Sequence, residues 1–466
     1  MALPAAFTTP EAYFRSCIEF LKSYAWIYQN ANTCFLKMGA LENFTREEIQ
    51  YFVNCETKEL NDFPYVSKQL SQAPTTLQYF RKRLKELIPQ EAFEDPLSIP
   101  LPVVPISKKM NLKKRHEICR LAHIIDELCS KNKVLIDFGA GLGYLSEMLY
   151  QKNANYRILG LEADLERVET ARKRQVRNMS SASNSIVYKQ QLITENSAKY
   201  IAQNVQEMLQ NNDKSELEAT SSWSIIGLHA CADLTVTSMR LFFVLPSVRR
   251  LIIMPCCYHK LEMLSTQKFR NFPLCKSLQS VVDGSHDDAV DDNFGYFNRP
   301  FLRLACQQTL TRWSCRSTQE HAEHGMQMWQ RAVAEAVLDD AEKVLKRKCR
   351  LDTSPTDECL TFSGLCATYE LKSKVNNQSL AWQPHHEHKY NEILRLYPAG
   401  AKLAEGLTCL QTTMQKFCEN IVLYDRFCYM QEYADSKDLK LSMRFVKLMN
   451  EMLSPRCYVL IVEKLG

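Results

Sequence analysis

K-V-L-I-D-F-G-A-G-L-G-Y-L-S, residues 133–146, decides the fold. Its first six residues are an apolar run too short for a helix of its own. Three alternating glycines follow, and then a helical pattern opens. Working outward, the same grammar repeats. Y-R-I-L-G-L-E (156–162), S-I-V-Y-K-Q (185–190), W-S-I-I-G-L-H (223–229) and R-L-I-I-M (250–254) are short strand-like runs separated by helical segments. Apolar strands interleaved with helices predict an α/β fold, a Rossmann-like parallel sheet covered on both faces. A last buried-strand pattern, residues 457–462, is expected to return to that sheet and complete it.

The turn after the first strand is where a ligand crossing the carboxyl edge of such a sheet must pass. Gly139, Gly141 and Gly143, with Ala140 between them, let backbone and ligand approach closely. Asp137, at the strand end, can accept from an α-ammonium group or organise the loop. Glu162 ends the second strand, where a carboxylate can accept both hydroxyls of a ribose. Gln191, after the third strand, is placed to read an adenine edge; a solvent-exposed loop glutamine is the plainer reading. A dinucleotide site is the rival, but G-x-G-x-x-G fails: Tyr144 or Ser146 stands where the third glycine belongs.

A second group of polar residues follows the fourth and fifth strands. These are H-A-C-A-D-L (229–234) and P-C-C-Y-H-K-L (255–261), at the same sheet edge. Asp233 is the first candidate for acceptor contact or proton removal, with His229 and His259 beside it. The plainer readings are a helix cap for Asp233 and a structural hydrogen bond for His229. Cys231, Cys256, Cys257 and His259 also offer three sulfurs and a nitrogen. Adjacent cysteines suit one tetrahedral zinc less well than C-x-x-C, so no metal is expected and the cysteines are read as packing under the site floor.

The chain has 466 residues, enough for two or three domains. We expect a helical N-terminal domain with a Pro-rich linker over 1–105 and a core over 106–310. A mostly helical insertion over 311–445 and the returning strand over 446–466 follow. Helices are predicted near 320–348 and 397–433. The Pro96, Pro100, Pro102 and Pro105 cluster marks the first boundary. With 58 basic and 53 acidic residues, any nucleic-acid surface must be local. K-K-R-H-E (113–117) is one such basic patch. No apolar run reaches the ~20 residues that span a bilayer, and the N-terminus lacks a signal-peptide pattern. An intracellular protein, cytoplasmic or nuclear, with reduced cysteines and no membrane partner is therefore expected.

V-L-I-D-F-G-A-G-L-G-Y-L-S, G-L-H-A-C-A-D-L, C-C-Y-H-K-L and the terminal S-P-R-C-Y-V-L-I together resemble the methyltransferase-like protein 25 family. Its paralogues have been labelled ribosomal RNA adenine dimethylase domain-containing. The resemblance implies a class I methyltransferase fold with S-adenosylmethionine as donor, held at Asp137, Gly139, Gly141, Gly143 and Glu162. The His-x-Cys-x-Asp and Cys-Cys-x-His pair is also similar to that of 2′-O-methyltransferases acting on transfer RNA acceptor stems, with Tyr258 where those carry a first histidine. H-A-C-A-D stands where adenine N6 enzymes carry an N-x-P-Y-type stretch, which argues against adenine dimethylation. The expected partner is a macromolecular substrate, RNA or protein. The alternative is a non-catalytic binding or scaffold protein on a vestigial methyltransferase fold.

Overall fold

The computed structural model describes residues 3–89, 110–130, 133–210, 222–265, 268–284, 295–307, 309–338, 343–348 and 361–465. The proline cluster at 96–105 lies outside them. Five parallel strands arise where the sequence shows apolar runs: β1 Val134–Phe138, β2 Arg157–Glu162, β3 Ile186–Gln190, β4 Trp223–Cys231 and β5 Val248–Cys256. Every residue of β1 is buried, because helices cover both faces of the sheet.

Three strands outside this sheet, β6 Lys343–Arg347, β7 Tyr369–Ser373 and β8 Ser379–Leu380, pair antiparallel with one another. They correct the expectation of a helix running to residue 348. That helix is Thr318–Val337, and 343–347 are pulled into extended form by pairing with β7.

The main sheet is closed by β9 Leu441–Lys447 and β10 Tyr458–Lys464, giving the order β3-β2-β1-β4-β5-β10-β9. The expected C-terminal strand is therefore present, antiparallel to both neighbours. β9 was not expected; residues 441–445 fall inside the stretch read as helical. Order and direction are those of a class I methyltransferase sheet. The order reverses between β1 and β4, and that switch point opens the crevice where open α/β sheets bind ligands.

The N-terminal helices and the 37-residue helix Gly400–Ser436 share one core with the sheet. Helix Pro10–Ser23 starts on Thr9, whose hydroxyl accepts from Ala12 N, with Pro10 preset for the first turn. It buries Tyr13, Phe14, Phe20 and Leu21. Phe20 meets Phe417 edge-on at 5.1 Å, and Asn420 donates to the Tyr13 hydroxyl at 2.8 Å.

β10 is the middle strand of its three, and Val459, Leu460 and Val462 are fully buried. Truncation after Leu453 should yield insoluble or unfolded chain. Leu460→Ala should cost about 2–5 kcal/mol as a large-to-small core substitution. Soluble yield and thermal melting check both, and a truncated chain melting like the full one would refute the role given to this strand.

Candidate functional site

The turn between β1 and the helix Tyr144–Lys152 is built by backbone geometry that L side chains disfavour. Gly139, Gly141 and Gly143 have φ of 72°, 56° and 78°. Gly139 N and Ala140 N both donate to Leu161 O, at 2.9 and 3.1 Å, tying the turn to β2. A β-carbon on Gly143 would lie 2.3 Å from the Tyr188 hydroxyl oxygen, and one on Gly160 2.5 Å from Tyr188 Cδ1. So Tyr188 of β3 lies under the turn only because both positions are bare. Its hydroxyl donates to Gly143 O at 3.2 Å. Gly141 differs: its absent β-carbon would meet only Gly139 O, at 3.9 Å, and would otherwise project into open space at the sheet edge.

The two acids of the turn do different work. Asp137 is buried, and Ser146 Oγ donates to its Oδ2 at 2.9 Å. Burial pushes its carboxyl up to about 7, opposed by that hydrogen bond and reinforced by Glu162. Asp137 therefore fastens the turn to the first turn of the following helix. Glu162 instead reaches across the edge: Oε2 accepts from Gly141 N at 3.0 Å and Oε1 from Asp164 N at 3.1 Å. Each oxygen keeps a lone pair for a further donor. Gln191 N donates to Glu162 O at 2.8 Å, while the Gln191 side chain donates to Leu192 O at 2.7 Å. Gln191 thus lies beside Glu162, with its amide satisfied locally.

Across the switch point, β4 carries His229 and Cys231, and β5 ends at Cys256. His229 is partly exposed, and its Nε2 lies 3.6 Å from Glu117 Oε2. His259 Nδ1 lies 3.2 Å from Cys306 Sγ. Partial burial holds both imidazoles below their usual range, favouring the neutral, proton-accepting form.

Asp233 is the first residue of the helix Asp233–Val244, whose N-cap is Ala232, and no side chain caps it. Its carboxylate instead accepts from Glu262 N at 2.9 Å and from Asn271 Nδ2 at 2.7 Å. Asp233 therefore pins the segment after β5 against the end of β4.

Sequence reasoning missed the buried Glu117. It sits in helix Leu112–Cys129 and accepts from Ser454 Oγ at 2.6 Å, with Lys113 Nζ 3.8 Å away. The one signal was its place at the end of K-K-R-H-E, where the basic residues drew attention instead. Of these basic residues, Lys114 Nζ lies 4.1 Å from the Tyr144 ring centroid, where Arg174 also packs with Cζ at 3.7 Å while pairing with Glu147 at 2.6 Å. Among the described residues no helix is long and apolar enough to cross a membrane.

Residues 113–263 match the family model for a methyltransferase domain. Methyltransferase-like protein 25 of Homo sapiens is 23% identical over 256 residues, 52% of this chain and 36% of that protein. The Mus musculus protein is 24% identical over 255 residues, 52% of this chain and 37% of that one. The matched region is thus little more than a third of each relative. Among solved structures, coclaurine N-methyltransferase, bound to N-methylheliamine and SAH, is 11% identical over 97% of this chain and 94% of its own, with a TM-score of 0.23. A plantazolicin methyltransferase in complex with SAH is 8% identical over 69% of this chain and 88% of its own, with a TM-score of 0.20. The matched segment contains β1 to β5, the glycine turn and both polar motifs. Residues 113–263 thus match a methyltransferase domain laid on this sheet, and about half of the chain is similar to methyltransferase-like protein 25.

Proposed function

We infer that the chain transfers a methyl group from S-adenosylmethionine to a macromolecular acceptor, RNA or protein. One observation carries the donor half. At the switch point, three left-handed glycines leave open space at Gly141, and the Glu162 carboxylate stands over that space with lone pairs to spare. Such a cradle fits a nucleoside: Glu162 would accept the ribose hydroxyls, Gly139 to Gly143 would face the amino-acid moiety, and Gln191 would border the base. When bound, the donor supplies an electrophilic methyl on a sulfonium. The protein's part is then positioning, exclusion of water and acceptance of a proton.

For the acceptor half, His229 near the end of β4, with Asp233 and His259 just beyond β4 and β5, stands at the same edge, so one crevice serves both ligands. The neutral imidazoles can take a proton from an oxygen or nitrogen nucleophile. Asp233 holds Glu262 N and Asn271 Nδ2 with its two oxygens, and each oxygen keeps a lone pair with which to take a proton.

Two experiments test the two halves. The purified chain should bind S-adenosylhomocysteine in calorimetry, and Gly141→Val with Glu162→Ala should abolish binding. The valine fills the open space, and losing the charged acceptor alone removes about 1.5–3 kcal/mol. Unchanged binding in a folded double variant would remove the site.

Asp233→Asn should keep donor affinity while turnover with labelled donor falls about 10²–10⁴-fold, if the carboxylate takes the proton. Full turnover would leave His259 and His229 as the candidates. Labelled-donor assays on extracts lacking the protein, split into RNA and protein fractions, identify the acceptor class. No transfer in either fraction, with binding intact, would favour a scaffold.

A further inference from the structure

Three thiols converge where β4 and β5 end. Cys231 and Cys256 are register partners on these neighbouring parallel strands, so their side chains share a face. Their sulfurs are 3.0 Å apart. Cys257 follows Cys256 directly, and in extended backbone it would point to the opposite face. It does not, because its φ of 52° and ψ of 44° are left-handed. That reversal brings its sulfur back, and all three Sγ atoms lie within 4.8 Å of one another. Adjacent cysteines on an extended strand diverge and share a metal poorly, but here the backbone turns them together.

The conformation is unfavourable for a residue with a β-carbon. Ala232, directly after Cys231, has a φ of 50°, and its N donates to Cys256 O at 3.0 Å. Non-glycine strain on both sides of one sulfur cluster is the kind of outlier that accompanies a built site. Packing alone gives no reason for it, since an extended Cys257 needs no such turn.

We propose that Cys231, Cys256 and Cys257 form a three-thiolate zinc site at the carboxyl edge of β4 and β5, with the fourth coordination position open. Tetrahedral zinc with Zn–S bonds of about 2.3 Å sets sulfurs about 3.8 Å apart, inside the span of this cluster after sub-ångström adjustment. Zinc is borderline-soft and has no geometric preference of its own, so it accepts three thiolates placed by backbone. Cys256 is buried while Cys231 and Cys257 are only partly so, which leaves one side of the cluster reachable. Three thiolates and one Zn²⁺ carry a net negative charge, for which a nearby unpaired cation would be suited. Arg456 Nε and Nη1 are buried and have no hydrogen-bond partner among the described residues. The site is independent of the donor reading, since a chain that binds no donor can still hold zinc.

The test uses the full chain, purified without added metal or chelator. Elemental analysis should find about one zinc per chain, and cobalt replacement should give the charge-transfer absorption of thiolate ligands. Alkylation followed by peptide mass mapping needs no variant. Cys231, Cys256 and Cys257 should be protected with zinc bound and labelled once a chelator removes it, while the exposed Cys315 labels in both states. Cys231→Ala with Cys257→Ala should abolish zinc binding. A folded wild-type chain with no zinc and no uptake, equal labelling with and without chelator, a Cys231–Cys256 disulfide in the purified chain, or zinc retained by the folded double variant would each overturn the site.

Discussion

The carboxyl edge of the sheet depends on one tyrosine lying where two β-carbons would otherwise stand. Tyr188 passes under Gly143 and beside Gly160, and its hydroxyl donates to Gly143 O. Burial keeps that phenol well above its usual titration range, so it remains a donor. With the ring in place, the turn has no freedom to sink toward the sheet. It must rise over β2, where Leu161 O takes two of its amides and Glu162 takes a third. A side chain at Gly143 or Gly160 would displace the ring, and with it the geometry that sets Gly141 facing open space. The glycines therefore serve two ends. Two make room for protein, and one makes room for whatever the crevice holds.

A second constraint joins the far parts of the chain to this edge. Glu117 is 1% exposed, and a buried carboxylate needs compensation. Its partners come from three places: Lys113 one helical turn away, Ser454 just before β10, and His229 at the end of β4. Next to it, His116 Nε2 accepts from Asn450 N at 2.9 Å. The helix before β1 is thus fastened to the segment leading into the last strand, and both flank the imidazole at the switch point. This is why a strand at the extreme C-terminus belongs to the site as much as to the sheet.

Much of this was legible because strand burial and turn chemistry are local. β1 to β5 read as apolar runs since helices cover both faces, and the glycine turn showed itself by composition. What failed was set by distant partners. β9, L-S-M-R-F-V-K, alternates apolar and polar residues from Leu441 to Phe445, the pattern of a half-buried strand, but it is short and follows a long helical stretch, and pairing with β10 is what settles it. β6 lies in a lysine-rich stretch with good helix formers, and pairing with β7 overrides that preference. At the site, Asp233 could be placed but not its role, because its partner Asn271 is far off in sequence. Glu117 was hidden by the basic residues around it.

The strained residues sharpen the distinction between a site and a surface. Among the described residues, four that are not glycine have positive φ: Ala232, Cys257, Asn377 and Asp438. Asn377 lies between β7 and β8, and Asp438 follows the long helix; asparagine and aspartate tolerate that region and turn chains there routinely. Alanine and cysteine have no such excuse. Both lie at the ends of β4 and β5, one residue beyond a register pair, and together they set Cys231, Cys256 and Cys257 facing one another while Asp233 begins its helix. The fold accepts a local cost of roughly 1–2 kcal/mol at each position. A sheet needing only to end its strands would have used glycine or asparagine there. The strain therefore concentrates at the ends of β4 and β5, opposite the glycine turn, where three thiols and Asp233 are brought together.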